Sequence, residues 1–456
     1  MPSTSSPPSS PAEGSPSIFK LPEELLVQIF LCYADDCDDA STYLRWTRVL
    51  FVCKQWRGIG LNCPSLWRTV YYHRREDCTR EVLRRSQDMT LDICIPSFDP
   101  QTNDAAKILL EQAVRAKTLD LDVPLSTIDS LEEVTSQLTG VPHLKRMALL
   151  FRNDDGLVSG LSVTPLFPYG FPCLTSLDLT VENNIRKLPL LPNLRRLIIE
   201  GHPFKDGEGY GTWGICLVNL LDVLKNAPYL DTLEIFHLQP LVAVESSQNI
   251  PEVKLSALRR LALLGYARTM SQFLKHLRVP TTAQLIMQFE IEIPQDLTAL
   301  LENLPFIFCG LNPQGHPEQR TLRTLFLTTP LDVNWQISFQ GDTVERGEYV
   351  HEDTPDFEEE GRICLDLRTF TWKGPGEWRF DRLVHILPMA EVTTLTVEGT
   401  LAWRTFLPEV MDYFFPRGET GLYHAPPDAP IEWYEVEWRK IFPRLWQVRW
   451  RSLAVD

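Results

Sequence analysis

The sequence predicts a mixed α+β protein in which a small three-helix module precedes an irregular α/β solenoid. Three observations predict it. Apolar residues fall at helical spacing between residues 18 and 70. One leucine phrase then recurs nine times between residues 142 and 450, and the stretches between copies read as helices.

The first 17 residues, MPSTSSPPSSPAEGSPS, are mostly Ser, Pro and small polar residues. Such a segment cannot bury enough surface to offset its conformational entropy, so a disordered tail is expected. Ser6-Pro7, Ser10-Pro11 and Ser15-Pro16 are candidate proline-directed phosphorylation sites within it. The chain changes character at residue 18. In Leu21-Pro-Glu-Glu-Leu-Leu-Val-Gln-Ile-Phe30, Pro22 suits a first helical position, and Glu23 and Glu24 suit the positive end of the helix dipole. Leu25, Leu26, Ile29 and Phe30 follow on one helical face. After an acidic loop, Asp35 to Asp39, a second helix is expected from an N-cap at Ser41 or Thr42, carrying Leu44, Val49, Val52, Cys53 and Trp56. Asn62-Cys-Pro-Ser-Leu-Trp67 closes a helical module of 18–70, small enough to need a partner or neighbour for stability.

Residues 71–400 carry the repeat. Its phrase, Pro-x-Leu-x-x-Leu-x-Leu, is clear in Pro142 to Leu149, Pro172 to Leu179, Pro192 to Ile199 and Pro228 to Ile235. It continues from Leu258, Leu322, Leu367, Val392 and Leu445, with the weakest copies last. The first five leading leucines, Leu144, Leu174, Leu194, Leu230 and Leu258, stand 30, 20, 36 and 28 residues apart. The phrase is the strand half of a leucine-rich repeat, and the uneven spacing predicts a distorted arc. Helical interludes are expected over 101–116, 127–138, 215–226 and 270–278. A long acidic loop is expected near 341–361. The last stretch, 401–456, is rich in aromatic residues such as Trp403, Trp433 and Trp438, suiting a terminal repeat or cap.

Composition narrows the chemistry. With 44 Lys and Arg against 60 Asp and Glu, the formal charge is −16, which disfavours nucleic acid and anionic membranes as partners. No run approaches the roughly 18 apolar residues of a membrane span. The N-terminus lacks the basic and apolar regions of a signal peptide. Ten cysteines show no paired two-residue spacing, so they read as reduced thiols of a cytoplasmic or nuclear protein. Gly209-Tyr-Gly-Thr-Trp-Gly214, with Glu234 twenty residues on, has dinucleotide-loop spacing, yet the strand before it ends near Glu200. No metal site is indicated: the acidic clusters at 35–39 and 352–360 lack the spacing of a calcium loop. No catalytic motif or cofactor site is indicated either, so the chain is not expected to be an enzyme.

The 21–70 segment resembles an F-box-like domain of the type common in mushroom-forming fungi. The resemblance rests on Leu21, Pro22, Glu24, Leu25, Leu26, Ile29 and Phe30, then Val52-Cys-Lys-Gln-Trp56-Arg and Pro64-Ser-Leu-Trp67. Downstream leucine repeats are the usual companion of that domain. The resemblance implies docking on a Skp-type adaptor within an SCF-type (cullin–RING) ubiquitin ligase. Leu21, Pro22, Leu25, Ile29, Phe30, Val52, Cys53 and Trp56 would then divide between the adaptor interface and the module's core, while Leu66 and Trp67 would form the joint to the repeats. The 21 residues between Phe30 and Val52 are more than a compact F-box usually has.

A protein substrate would sit on the concave face, formed by outward strand positions. The expected ladder runs Arg146, Ser176, Arg196, Thr232, Arg260, Thr324, with Asp178, Ile198, Glu234 and Phe326 beside it. Arg146, Asp178, Arg196, Glu234, Arg260 and Phe326 are the candidate substrate contacts, since arginines interspersed with aromatics suit protein ligands. The alternative is a leucine-repeat scaffold for protein contacts without a ubiquitin-ligase role.

Overall fold

The computed structural model describes residues 21–36, 42–72, 75–96, 104–124, 142–152, 161–164, 167, 171–182, 184–201, 204–206, 209–211, 213–241, 252–291, 294–311, 317–319, 324–328, 335–342, 363–369, 394–399 and 447–452. The N-terminal tail, the interlude at 127–138 and most of the aromatic C-terminal stretch lie outside them. The chain divides into two compact units, residues 1–96 with 100–120, and residues 97–99 with 121–456. The first unit therefore reaches well past residue 70.

In the first unit, α1 (Glu23–Asp35) follows Pro22, whose φ of −54° and missing N–H suit a helix start. A 3-10 helix, Arg45–Phe51, leads into α2 (Lys54–Asn62), and a short 3-10 turn, Pro64–Trp67, ends the helical part. The expected single helix through Val52, Cys53 and Trp56 is thus broken in two. Cys53 is extended, with φ −158° and ψ 170°, and its Sγ accepts a hydrogen bond from the Trp56 backbone N–H at 3.4 Å. It is the N-cap of a new helix rather than the interior of an old one.

Beyond this come β1 (Thr69–Tyr71), α3 (Glu76–Arg85), β2 (Leu91–Ile95), α4 (Asp104–Glu111) and β3 (Ala116–Pro124). Strands β1 and β2 pair in parallel, with Val70 opposite Ile93. Helix α3 has Glu76 and Asp77 in its first turn and Arg84 and Arg85 in its last, each sign complementing the dipole. Arg85 ties α3 to the helical part. It donates to the Leu61 carbonyl at 3.1 Å and lies 5.1 Å from the Trp67 ring centroid.

The second unit contains a sheet in which β4 (Arg146–Arg152), β5 (Ser176–Val181), β6 (Arg196–Gly201), β7 (Thr232–Phe236), β8 (Arg260–Tyr266) and β9 (Gln284–Ile291) follow one another in chain order, all parallel. Their side chains alternate. Leu177 and Leu179, Leu197 and Ile199, Leu233 and Ile235, and Leu261 and Leu263 are buried. Helices α5 (Leu217–Lys225) and α6 (Ala267–Lys275) bury Leu220, Leu224, Met270 and Phe273. They match two of the expected interludes, and α4 matches a third. A further helix, α7 (Pro294–Phe308), was not expected.

Eight of the nine phrase copies place their second and third apolar positions on strands; in the copy from Leu367 the strand ends at Thr369, and Phe370 and Trp372 lie outside the described residues. The sequential order stops at β9. The remaining strands are β10 (Thr324–Thr328), β11 (Trp335–Asp342), β12 (Ile363–Thr369), β13 (Thr394–Gly399) and β14 (Gln447–Ser452). They stand in the order β9-β12-β11-β10-β13-β14. Strand β11 is antiparallel to both neighbours. A uniform solenoid adds each strand beside the last, so this insertion departs from the expected arc. Gly341 and Asp342, expected in the acidic loop, belong to β11, and 343–361 lie outside the described residues.

Candidate protein-interaction site

The helical part sorts its apolar residues into two sets. Leu26 and Phe30 of α1 are fully buried, as Trp56 and Ile59 of α2 are nearly so. The Phe30 and Trp56 rings pack 5.1 Å apart at 59°, and Trp46 meets Trp67 edge-on at 4.9 Å. Trp67 Nε1 donates to the Gly60 carbonyl at 2.9 Å. There α2 runs so close to the 3-10 helix that a Cβ on Gly60 would collide with Leu50 Cδ2. Leu66 and Trp67, expected as a joint to the repeats, are buried within this core.

The second set faces outward. Leu25 is 50% exposed and Ile29 45%, one turn apart on α1; Phe51 is 75% and Val52 53% exposed where the 3-10 helix ends. Side chains of this kind are often buried; these four stand exposed on two elements packed against each other, the apolar corner of the helical part. The Arg57 guanidinium lies 5.5 Å from the Phe51 ring centroid, so a cation borders it. Arg68 pairs with Asp35 at the end of α1, at 3.1 Å.

The eight expected adaptor residues are therefore divided. Pro22, Leu25, Ile29 and Val52 are exposed, Phe30 and Trp56 are core, and Leu21 and Cys53 are half-buried. Phe51, the most exposed apolar side chain here, is not among the eight expected residues. Its signal was the run Val49-Leu-Phe-Val-Cys53, too many consecutive apolar residues for one helical face.

On the sheet of the second unit, Arg146, Ser176, Arg196, Thr232 and Arg260 stand in register, as expected. The next position belongs to Gln284 of β9, not Thr324. Three strands, β9, β12 and β11, separate β8 from β10, so Phe326 does not join the other candidates. The five that do meet are joined by charge. Asp178 accepts from Arg146 at 2.9 Å and lies 3.9 Å from Arg196. Glu234 accepts from Arg260 Nε at 2.8 Å and lies 4.0 Å from Arg196. Arg260 also donates to Gln284 Oε1 at 3.2 Å. Both carboxylates are largely covered, with side chains 16% and 9% exposed. The ladder is thus an alternating chain of paired charges that locks strand register.

The glycine-spaced stretch at 209–214 lies on short strands, Gly209–Gly211 and Trp213–Cys216, and the Gly214 N–H donates to Asn184 Oδ1 at 2.6 Å. That amide is committed to the fold, not turned toward a phosphate. Among the described residues no group of three His, Cys, Asp or Glu could hold a metal, and no helix is long and apolar enough to cross a membrane.

The residues carrying the apolar corner fall within a recognised domain: a family model described as F-box-like matches residues 18–73. No curated protein matches the chain.

Proposed function

We propose that the chain is the substrate-recognition subunit of an SCF-type ubiquitin ligase. F-box domains generally bind Skp-type adaptors, and the match at 18–73 coincides with the apolar corner of Leu25, Ile29, Phe51 and Val52. That corner is the observation that carries the reading. A buried aromatic core beneath it holds the side chains in place, so their burial by a partner costs little reorganisation. The parallel sheet, read as a degenerate leucine-repeat array, would hold the protein substrate. Ubiquitin transfer would belong to other subunits, and this chain would contribute proximity, with no catalytic residue or cofactor of its own. Its place of work would be the cytoplasm or nucleus.

Co-expression of the full chain with a recombinant Skp-type adaptor and cullin tests this. The expected result is a complex of all three, lost with Leu25→Asp/Ile29→Asp. A folded chain that recovers neither would leave a repeat scaffold outside any ligase.

A further inference from the structure

The sheet of the second unit has a second row of charges, one residue before the paired ladder. Residues 145, 175, 195, 231 and 259 stand in line at the N-terminal edge of β4 to β8. Backbone hydrogen bonds hold them there: the N–H groups of Thr175, Arg195, Asp231, Arg259 and Gln284 each donate to the carbonyl of the row's preceding residue, at 2.6–2.8 Å. Three members, Lys145, Arg195 and Arg259, are exposed cations. Among the described residues none of the three has a side-chain hydrogen bond or ion-pair partner, unlike Arg146, Arg196 and Arg260, which each directly follow one of them. The single acid of the row, Asp231, accepts a hydrogen bond from the Thr232 hydroxyl at 2.9 Å.

We propose that this edge is a docking surface for an acidic peptide segment. The proposal rests on the substrate-receptor reading and gives the substrate a chemical class. Charge complementarity selects the occupant. In a chain of formal charge −16, a row of unpaired cations is a local reversal of sign that steers carboxylates to one edge. Spacing fits as well. The cations stand on alternate strands, about 10 Å apart at roughly 4.8 Å per strand, and a peptide in the polyproline II conformation, at about 3.1 Å per residue and three residues per turn, covers that in about three residues and returns to the same side. An acidic side chain at every third position of such a segment would meet one cation each. The face beyond the edge has its charges already paired, so it supplies shape and rigidity while the edge supplies attraction.

Fluorescence anisotropy of labelled decaglutamate titrated with the full chain tests this, with oligothymidylate as a polyanion lacking carboxylates. Decaglutamate is expected to bind, more weakly as salt rises from about 0.05 to about 0.3 M. Lys145→Gln/Arg195→Gln/Arg259→Gln should weaken it by about tenfold or more. The three side chains are exposed, so the variant should melt with the wild type and keep its adaptor complex. Arg186→Gln/Lys187→Gln, exposed cations off this row, should leave binding unchanged. Failure of a folded wild type to bind, equal affinity in the triple variant, an equal loss in the control variant, or tighter binding of oligothymidylate would each overturn the proposal. Loss of the adaptor complex by wild type would instead count against the receptor reading alone.

Discussion

Adjacent residues on α1 have opposite jobs. Leu26 is fully buried and Leu25 is half exposed, although the sequence offers the same side chain at both. Leu26→Ala should cost about 2–5 kcal/mol in chemical denaturation, because it empties a packed site. Leu25→Ala should stay within about 0.5 kcal/mol of wild type while weakening the adaptor complex. The same logic reassigns Trp56, whose ring packs on Phe30: its truncation should act by unfolding the module, not by removing a contact. Cys94 offers a further test. Burial first, then the Asp120 carboxylate, push its thiol up to about 12 from an ordinary value of 9.0. The folded chain thus keeps a proton that the unfolded chain releases between about pH 9 and 12, so the residue's effect is to lower stability as pH rises through that window. In timed alkylation at pH 9, Cys94 should label far more slowly than the exposed Cys32.

Within α2, two glycines separate helix propensity from packing. A Cβ on Gly58 meets nothing within 4 Å, whereas one on Gly60 runs into Leu50. Gly58→Ala should therefore stabilise by up to about 1 kcal/mol, the ordinary gain of alanine in a helix. Gly60→Ala should be less stable than Gly58→Ala by about 1–3 kcal/mol, since Leu50 must leave its place. Paired denaturation curves decide it. Elements of this kind differed in how readily the sequence revealed them. The strands were legible because Leu177 and Leu179, or Leu197 and Ile199, repeat one spacing that only a one-sided strand explains. The break at Cys53 was not, because a helical period runs through Val52 to Trp56 and a sulfur is a weak cap signal. Strand β9 escaped because Leu285, Met287, Phe289 and Ile291 alternate behind Pro280 with Thr282 standing where the phrase has its leading leucine. Helix α7 is apolar through much of its length and carries no repeat phrase to mark it.

At the scale of the molecule, charge and apolar exposure separate two surfaces on two compact units. The candidate residues were largely legible as types, since helical spacing put Leu25 and Ile29 on one face. Their division into core and surface was not, because amphipathic spacing shows that a face is apolar but not how much of it the module covers. Nor could the phrase reveal strand order after β9, where antiparallel β11 enters between β12 and β10. The ladder on the sheet is expected as ligand contacts from the sequence, and in the structure its arginines and carboxylates pair with one another across the strands. Arg260→Ala would leave the largely buried Glu234 without its closest cation and should lower stability by about 1–3 kcal/mol. Under the proposed function, the corner of α1 and the 3-10 helix docks a Skp-type adaptor. Calorimetric titration of that adaptor into the full chain tests it most directly, comparing wild type with Leu25→Ala/Ile29→Ala/Phe51→Ala. One-to-one binding with a negative heat-capacity change is expected, weakened about 100-fold or more in the variant. Equal affinity in the two, or no heat of binding from a folded wild type, would contradict it.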